Sequence, residues 1–391
     1  MIDPGVRNDF YGLDQKVFFN NAAHAPLLKC VKESIDEHFS GLMSLNIGDH
    51  EAKEHLDTIR VNAARLINAD PSEIEFAMNT SWGINLAALG LNWQAGDEIL
   101  IPDNEFPSLP YPFQALQQRG AVIKYIPTPD GFPPFAEITR LASPRTKLLA
   151  ISFVQYYNGF RNDLKALGEF CRERGIFFLV DAIQGLGACP LDVKDCRIDL
   201  LATGAQKWLL SPLGAGFFYV SKHAKRPLRS QTTGWMGVDW KLKYTDLRHF
   251  DREPFEDARR FNLGTYPYLQ VWGMSAALKY ILSLGVANIF AHNLALVDRL
   301  LEFVRNDDYY RINSPLTPQH RSQIVSISSP QGQQLQKYLL EEGFLLVYRE
   351  GGVRVAVNFY NTIDEIDRLI AALQRFKSRS GAVGTKAGAE R

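Results

Sequence analysis

Two residues in this chain are placed to do carbonyl chemistry. Lys207 closes the run DLLATGAQK and Asp181 closes IFFLVD, each just past an apolar stretch that reads as a buried strand. In open α/β sheets the carboxyl ends of strands are where ligands bind. A lysine there can form an imine with an aldehyde, and a carboxylate can keep a pyridine nitrogen protonated so that the ring accepts electrons. Those are the two requirements of pyridoxal 5′-phosphate (PLP) chemistry. Taken singly, each residue is also an ordinary polar side chain at a strand end, and Lys207, beside Trp208, could simply extend its ammonium to solvent.

The flanking sequence separates these readings. VDAIQGLGACPLDV followed by DLLATGAQKWLLSPLGAGFFYVSK resembles the PLP-binding core of the class V aminotransferase-fold enzymes, the group of cysteine desulfurases, selenocysteine lyases, kynureninases and isopenicillin-N epimerases. Ordered matches extend over most of the chain, through VFFNNAAHAP, NTSWGINLAALGL, NEFPSL, LLAISFVQYYNG, RFNLGTYP and VRVAVNFYNTIDEIDRLIAAL. The resemblance implies an α/β protein of PLP-dependent fold type I, with PLP held as a Schiff base on Lys207 and its ring nitrogen on Asp181.

Position by position it implies further roles. Thr80 and Ser81, opening a helix, would cradle the cofactor phosphate, which also suits an anion at a helix N-terminus. Phe106 would stack on the ring where desulfurases carry histidine. Gln184 would bond the phenolic oxygen, and Tyr156 takes a ring-side position usually held by asparagine, with Gln155 beside it. Thr203 and Gln206 fall where the family has phosphate ligands, Gln206 replacing a histidine and Gly204 a serine. Thr265 matches a threonine that reaches the phosphate of a neighbouring subunit, which implies a homodimer with shared sites. Arg354 matches the arginine that grips the substrate α-carboxylate, for which a planar two-pronged donor is suited. Asn21, Ala23 and His24 lie on the substrate-side loop.

The family pattern breaks where desulfurases carry their nucleophilic cysteine. LLVYREGGVR is short and holds none, and Cys30, Cys171, Cys189 and Cys196 lie elsewhere. A persulfide-forming desulfurase is therefore disfavoured. The expected activity is on a small amino acid, as a lyase that eliminates or replaces the side chain, a C–S bond included, or as an aminotransferase. Epimerisation of the isopenicillin-N type and non-catalytic PLP binding are the alternatives.

The elements that must position these residues follow from periodicity. Apolar runs alternate with amphipathic stretches from residue 16 onward, with helices ending at Gly120 and Gly175, which predicts helices covering a mainly parallel, seven-stranded type of sheet. Residues 17–260 read as a large PLP-binding domain. Residues 1–16 and 261–376 read as a smaller α/β C-terminal domain, and 377–391 as a disordered tail poor in apolar residues.

Composition narrows the partners. Lys plus Arg and Asp plus Glu are 43 each, leaving no basic surplus for a nucleic acid. The cysteine spacing makes neither a disulfide framework nor a metal motif, and GLGACP lacks the full G-x-G-x-x-G of a dinucleotide site. With no leader-like start and no apolar run of membrane-spanning length, the expectation is a cytoplasmic protein that engages neither membrane nor nucleic acid.

Overall fold

The computed structural model describes residues 2–45, 49–225, 227–231, 234–240, 248 and 250–386. After the short strand β1 (Val17–Phe18) come helices α1 (Lys29–Met43) and α2 (Asp49–Ile67). The expected alternation follows: β2 (Ile74–Ala77), α3 (Thr80–Gly90), β3 (Glu98–Pro102), α4 (Pro110–Gln114), β4 (Val122–Ile126), α5 (Phe135–Leu141), β5 (Thr146–Ser152), α6 (Leu164–Arg174), β6 (Phe177–Asp181), β7 (Leu200–Gly204) and β8 (Gly216–Val220).

Strands β2 to β8 form one sheet in the order β2-β8-β7-β6-β5-β3-β4. Only β8 runs against the rest. Burial on both faces is why β6, β7 and β8 read as unbroken apolar runs. Gly175 ends α6 at φ 66°, a left-handed turn that a side chain would strain.

The second half of the chain carries α7 (Tyr268–Leu284), α8 (Val286–Arg305), β9 (Arg311–Ile312), β10 (Ile324–Ser328), α9 (Gly332–Glu341), β11 (Phe344–Leu345), β12 (Val347–Arg349), β13 (Gly352–Ala356) and α10 (Ile363–Lys386). A four-stranded antiparallel sheet of order β12-β13-β10-β9 has its own apolar core with α8, α9 and α10, while β1 pairs with β11. No single described helix is long and apolar enough to cross a membrane; α7 and α8 together have that length but are bent by 73°.

Two features of this half bear on the expected boundaries. Helix α7, read as part of the smaller domain, packs on α1 and α2, and its Val271, Trp272 and Met274 join the core beneath the large sheet. Helix α10 runs through Lys386 into the segment read as a tail, and 387–391 lie outside the described residues. Once Ile366, Leu369, Leu373 and Phe376 anchor the helix, added turns need no new nucleation, and Lys377 reaches Asp307 and Asp308.

Candidate active site

Strand register brings the chemistry to one edge. Ser152, the last residue of β5, pairs with Asp181 at the end of β6, which pairs with Ala202 of β7. The loops that leave the ends of β2, β3, β5, β6 and β7 therefore open on the same side, carrying Thr80 and Ser81, Phe106, Tyr156, Gln184 and Lys207.

Asp181 is 2% exposed, and its carboxylate accepts the Ile183 N–H at 3.0 Å. Burial pushes its pKa up to about 6, against the pull of that bond and of the Lys207 charge. Lys207 is the opposite case: desolvation lowers its amine to about 8, Asp181 opposes this, and the positive charges of Arg354 and Arg349 reinforce it. Lys207 is half-buried rather than fully extended into water. Its Nζ lies 5.8 Å from the centroid of the Phe106 ring, which meets Tyr156 edge-on at 5.4 Å.

The lysine loop is held from three directions. Trp208, almost wholly buried, donates its indole N–H to Gln184 Oε1 at 3.0 Å. Gln206 carbonyl accepts the Ala25 N–H, and Thr80 Oγ1 accepts the Gly204 N–H at 2.8 Å. Thr80 begins α3, which Asn79 caps by accepting the Trp82 N–H. Thr80 and Ser81 thus lie in the first turn of α3, where backbone amides have no intrahelical partner, the setting in which a helix N-terminus can receive an anion.

Other expected ligands are already engaged. Thr203 donates to the Gly204 carbonyl at 3.0 Å, so its proton is turned along its own strand. Gln184 Nε2 donates to the Ala22 carbonyl, leaving one amide proton for a ligand. Gln206 lies over Gly204: a Cβ at 204 would come 2.5 Å from Gln206 Oε1, so the two departures from the family pattern are sterically linked.

On the substrate side Arg354 is 3% exposed in β13, an inner strand, with its pKa lowered to about 10 by burial and by Arg349. It donates to the Tyr156 carbonyl at 2.6 Å and to Asn20 Oδ1 at 3.4 Å, while its buried Nε has no partner. Asn21 does not face the site as expected. Residues 19–21 run beside β13, and Asn21 spends its amide on the Ala356 carbonyl and accepts the Tyr360 hydroxyl. Its neighbour Asn20 is the one that touches Arg354. Ala23 closes the turn on the Asn20 carbonyl, and exposed His24 packs its ring 5.8 Å from Phe18. Thr265 is exposed on the loop before α7.

Glu105 escaped the sequence reading. Fully enclosed next to Phe106, it accepts the Ser152 N–H at 2.8 Å, the Ser152 hydroxyl and Gln155 Nε2 at 2.9 Å, and burial raises its carboxyl to about 7. An acid directly before Phe106 in NEFPSL was the available signal.

The class V aminotransferase family model matches residues 17–369. The chain belongs to this family. An uncharacterized aminotransferase, YcbU of Bacillus subtilis strain 168, is 26% identical over 364 residues, covering 93% of this chain and 95% of the relative. A cysteine desulfurase structure from Thermococcus onnurineus NA1 superposes with a TM-score of 0.86 at 23% identity, over 96% and 98% of the two chains. C-DES, a cystine C–S lyase, superposes with a TM-score of 0.85 at 23% identity, over 95% of this chain and 99% of that one, in a lysine-to-alanine mutant with glycine covalently linked to PLP. These structures show the shared type I fold.

The cofactor of this class V enzyme is PLP, and the residues present fit it: a desolvated amine on Lys207, a buried carboxylate on Asp181, an aromatic face at Phe106 and a helix N-terminus at Thr80.

Proposed function

We propose that this enzyme, working in the cytoplasm as a homodimer, acts on a small α-amino acid as a lyase that eliminates or replaces the side-chain substituent. What supports this is the grouping of Lys207 with Asp181 and buried Arg354, whose charges act on its amine, beside a hairpin that holds no thiol. When bound, PLP supplies an electron sink for the bond broken at Cα.

The chain's own groups divide the remaining work. Arg354 receives the α-carboxylate with its unpartnered Nε edge. Thr80 and Ser81 would hold the phosphate, and Asp181 would pair with the ring nitrogen, whose positive charge would draw the carboxyl back toward ionisation. Lys207 would serve as the base for the Cα proton, a task to which an amine brought down to about 8 is well matched near neutral pH. Phe106 would cover the ring face and limit water.

No cysteine lies on the β12–β13 hairpin. Cys171 and Cys189 are buried, with burial raising the Cys189 thiol to about 12, and it donates to Gln323. A persulfide on a protein thiol is thus disfavoured, although cysteine desulfurases are among the similar structures. Aminotransfer is the second reading, favoured by the name of the Bacillus relative.

The test is the visible spectrum of wild type and Lys207→Ala with PLP, before and after a panel of amino acids, with keto-acid and ammonia detection. The reading expects a yellow lysine-linked band in wild type alone, and ammonia release with a keto acid for one substrate class. Keto acid formed only with an amino acceptor would select aminotransfer, and a wild type that PLP cannot colour would overturn both.

A further inference from the structure

The hairpin that replaces the desulfurase cysteine loop carries an arginine of its own. Strand β12 pairs with β13 so that Val347 lies opposite Arg354, Tyr348 opposite Val353 and Arg349 opposite Gly352. Side chains on paired strands alternate between faces, so Arg349 shares a face with Arg354, one diagonal step or about 7–8 Å away. Tyr348 confirms the assignment from the other side: its ring lies against Gly332 at the start of α9, and it packs on the core of the smaller sheet.

The turn between the strands fixes where this face points. Glu350 and Gly351 both have positive φ, 45° and 81°, a two-residue turn that keeps the hairpin tight. Glu350 is held in that conformation, uncommon for a residue with a side chain, while its carboxylate accepts the Tyr156 hydroxyl at 3.1 Å. Tyr156 stands against Phe106, and its carbonyl binds Arg354. The hairpin tip is therefore tied to the Tyr156 loop beside Phe106 and Arg354, with Glu350 committed to the tyrosine. Arg349 is exposed and has no ion pair or hydrogen bond among the described residues. Its charge nevertheless bears on Lys207, on Arg354 and on Tyr156, in agreement with a guanidinium on the side of these groups.

Resting on the amino-acid reading above, we propose that Arg349 is a specificity residue that binds a second carboxylate, so that the substrate is a dicarboxylic α-amino acid held by Arg354 at its α-carboxylate and by Arg349 at its side chain. A neutral side chain would leave Arg349 in water at no cost, so neutral amino acids still bind but lack the second charge-assisted pair.

The experiment titrates the PLP-loaded enzyme with L-aspartate, L-glutamate and their amides L-asparagine and L-glutamine, reading dissociation constants by visible absorption and by calorimetry. Wild type is expected to prefer an acid over its amide by about tenfold or more, the scale of one charge-assisted contact. Arg349→Gln should erase that preference while changing amide binding by less than about twofold, and Arg349→Lys should restore part of it. Because Arg349 is exposed, neither variant threatens folding. An acid-to-amide ratio unchanged in Arg349→Gln, or a wild type that binds amides as well as acids, overturns the inference and leaves the amino-acid reading standing. If no amino acid perturbs the loaded enzyme, the amino-acid reading falls, and this inference with it.

Discussion

Glu105 shows at the scale of one residue how the site stores electrostatic strain. It accepts three donors, yet complete burial and the neighbouring Asp181 charge still hold its carboxyl near 7, above the ordinary 4.5. The folded protein then binds this proton more tightly than the unfolded chain does. Stability from this group is full below about pH 4.5, falls as pH rises to 7 and stays low above that. Glu105→Gln should therefore gain on wild type as pH rises from 5 to 8, by up to about 3 kcal/mol. Urea unfolding of the cofactor-free proteins across that range checks it; a difference independent of pH would show that Glu105 is ionised throughout.

At the scale of elements, the tolerance of a glycine depends on what its missing Cβ would strike. In α6, a Cβ on Gly168 would meet the backbone carbonyl oxygen of Cys196 at 1.9 Å, so the helix cannot lie where it does unless this residue is glycine. Gly204 at the end of β7 would meet only the tip of Gln206 at 2.5 Å and Ile183 at 3.2 Å, atoms that can swing aside. Gly168→Ala should cost about 1–3 kcal/mol by displacing α6, whereas Gly204→Ala should cost under about 1 kcal/mol while weakening PLP binding by moving Gln206. Thermal melts with PLP titrations separate the two effects, and equal destabilisation would refute the distinction.

For the whole molecule, the loop before α7 poses the question of assembly. Thr265 is exposed there, and we propose that it reaches the phosphate held by a second copy. If sites are shared, mixing Lys207→Ala subunits with Thr265→Val subunits creates hybrids in which one of two sites has both residues intact. Refolded mixtures should then recover about half the wild-type density of tight PLP sites per hybrid, where neither parent recovers any. The absence of recovery, or a monomeric mass by sedimentation, would count against the shared site.

The large sheet was legible in the sequence because apolar runs long enough to be buried strands are a local fact. Lys207, Asp181, Arg354, Phe106 and Thr80 were singled out by the resemblance of their flanking motifs to the class V family, since each taken singly is an ordinary polar or core residue. Only the tertiary structure decided which of two adjacent asparagines meets Arg354, since the path of residues 19–21 beside β13 is a long-range pairing that no local pattern encodes. The same holds for α7, whose apolar surface could have served either half and was claimed by α1 and α2. It holds too for 377–386, which is helical because α10 was already anchored, and for Arg349, whose direction is set by the register of a two-residue turn. Local periodicity chooses an element and its ends; which neighbour an exposed or half-apolar face meets is fixed only when the distant parts of the chain compete for it.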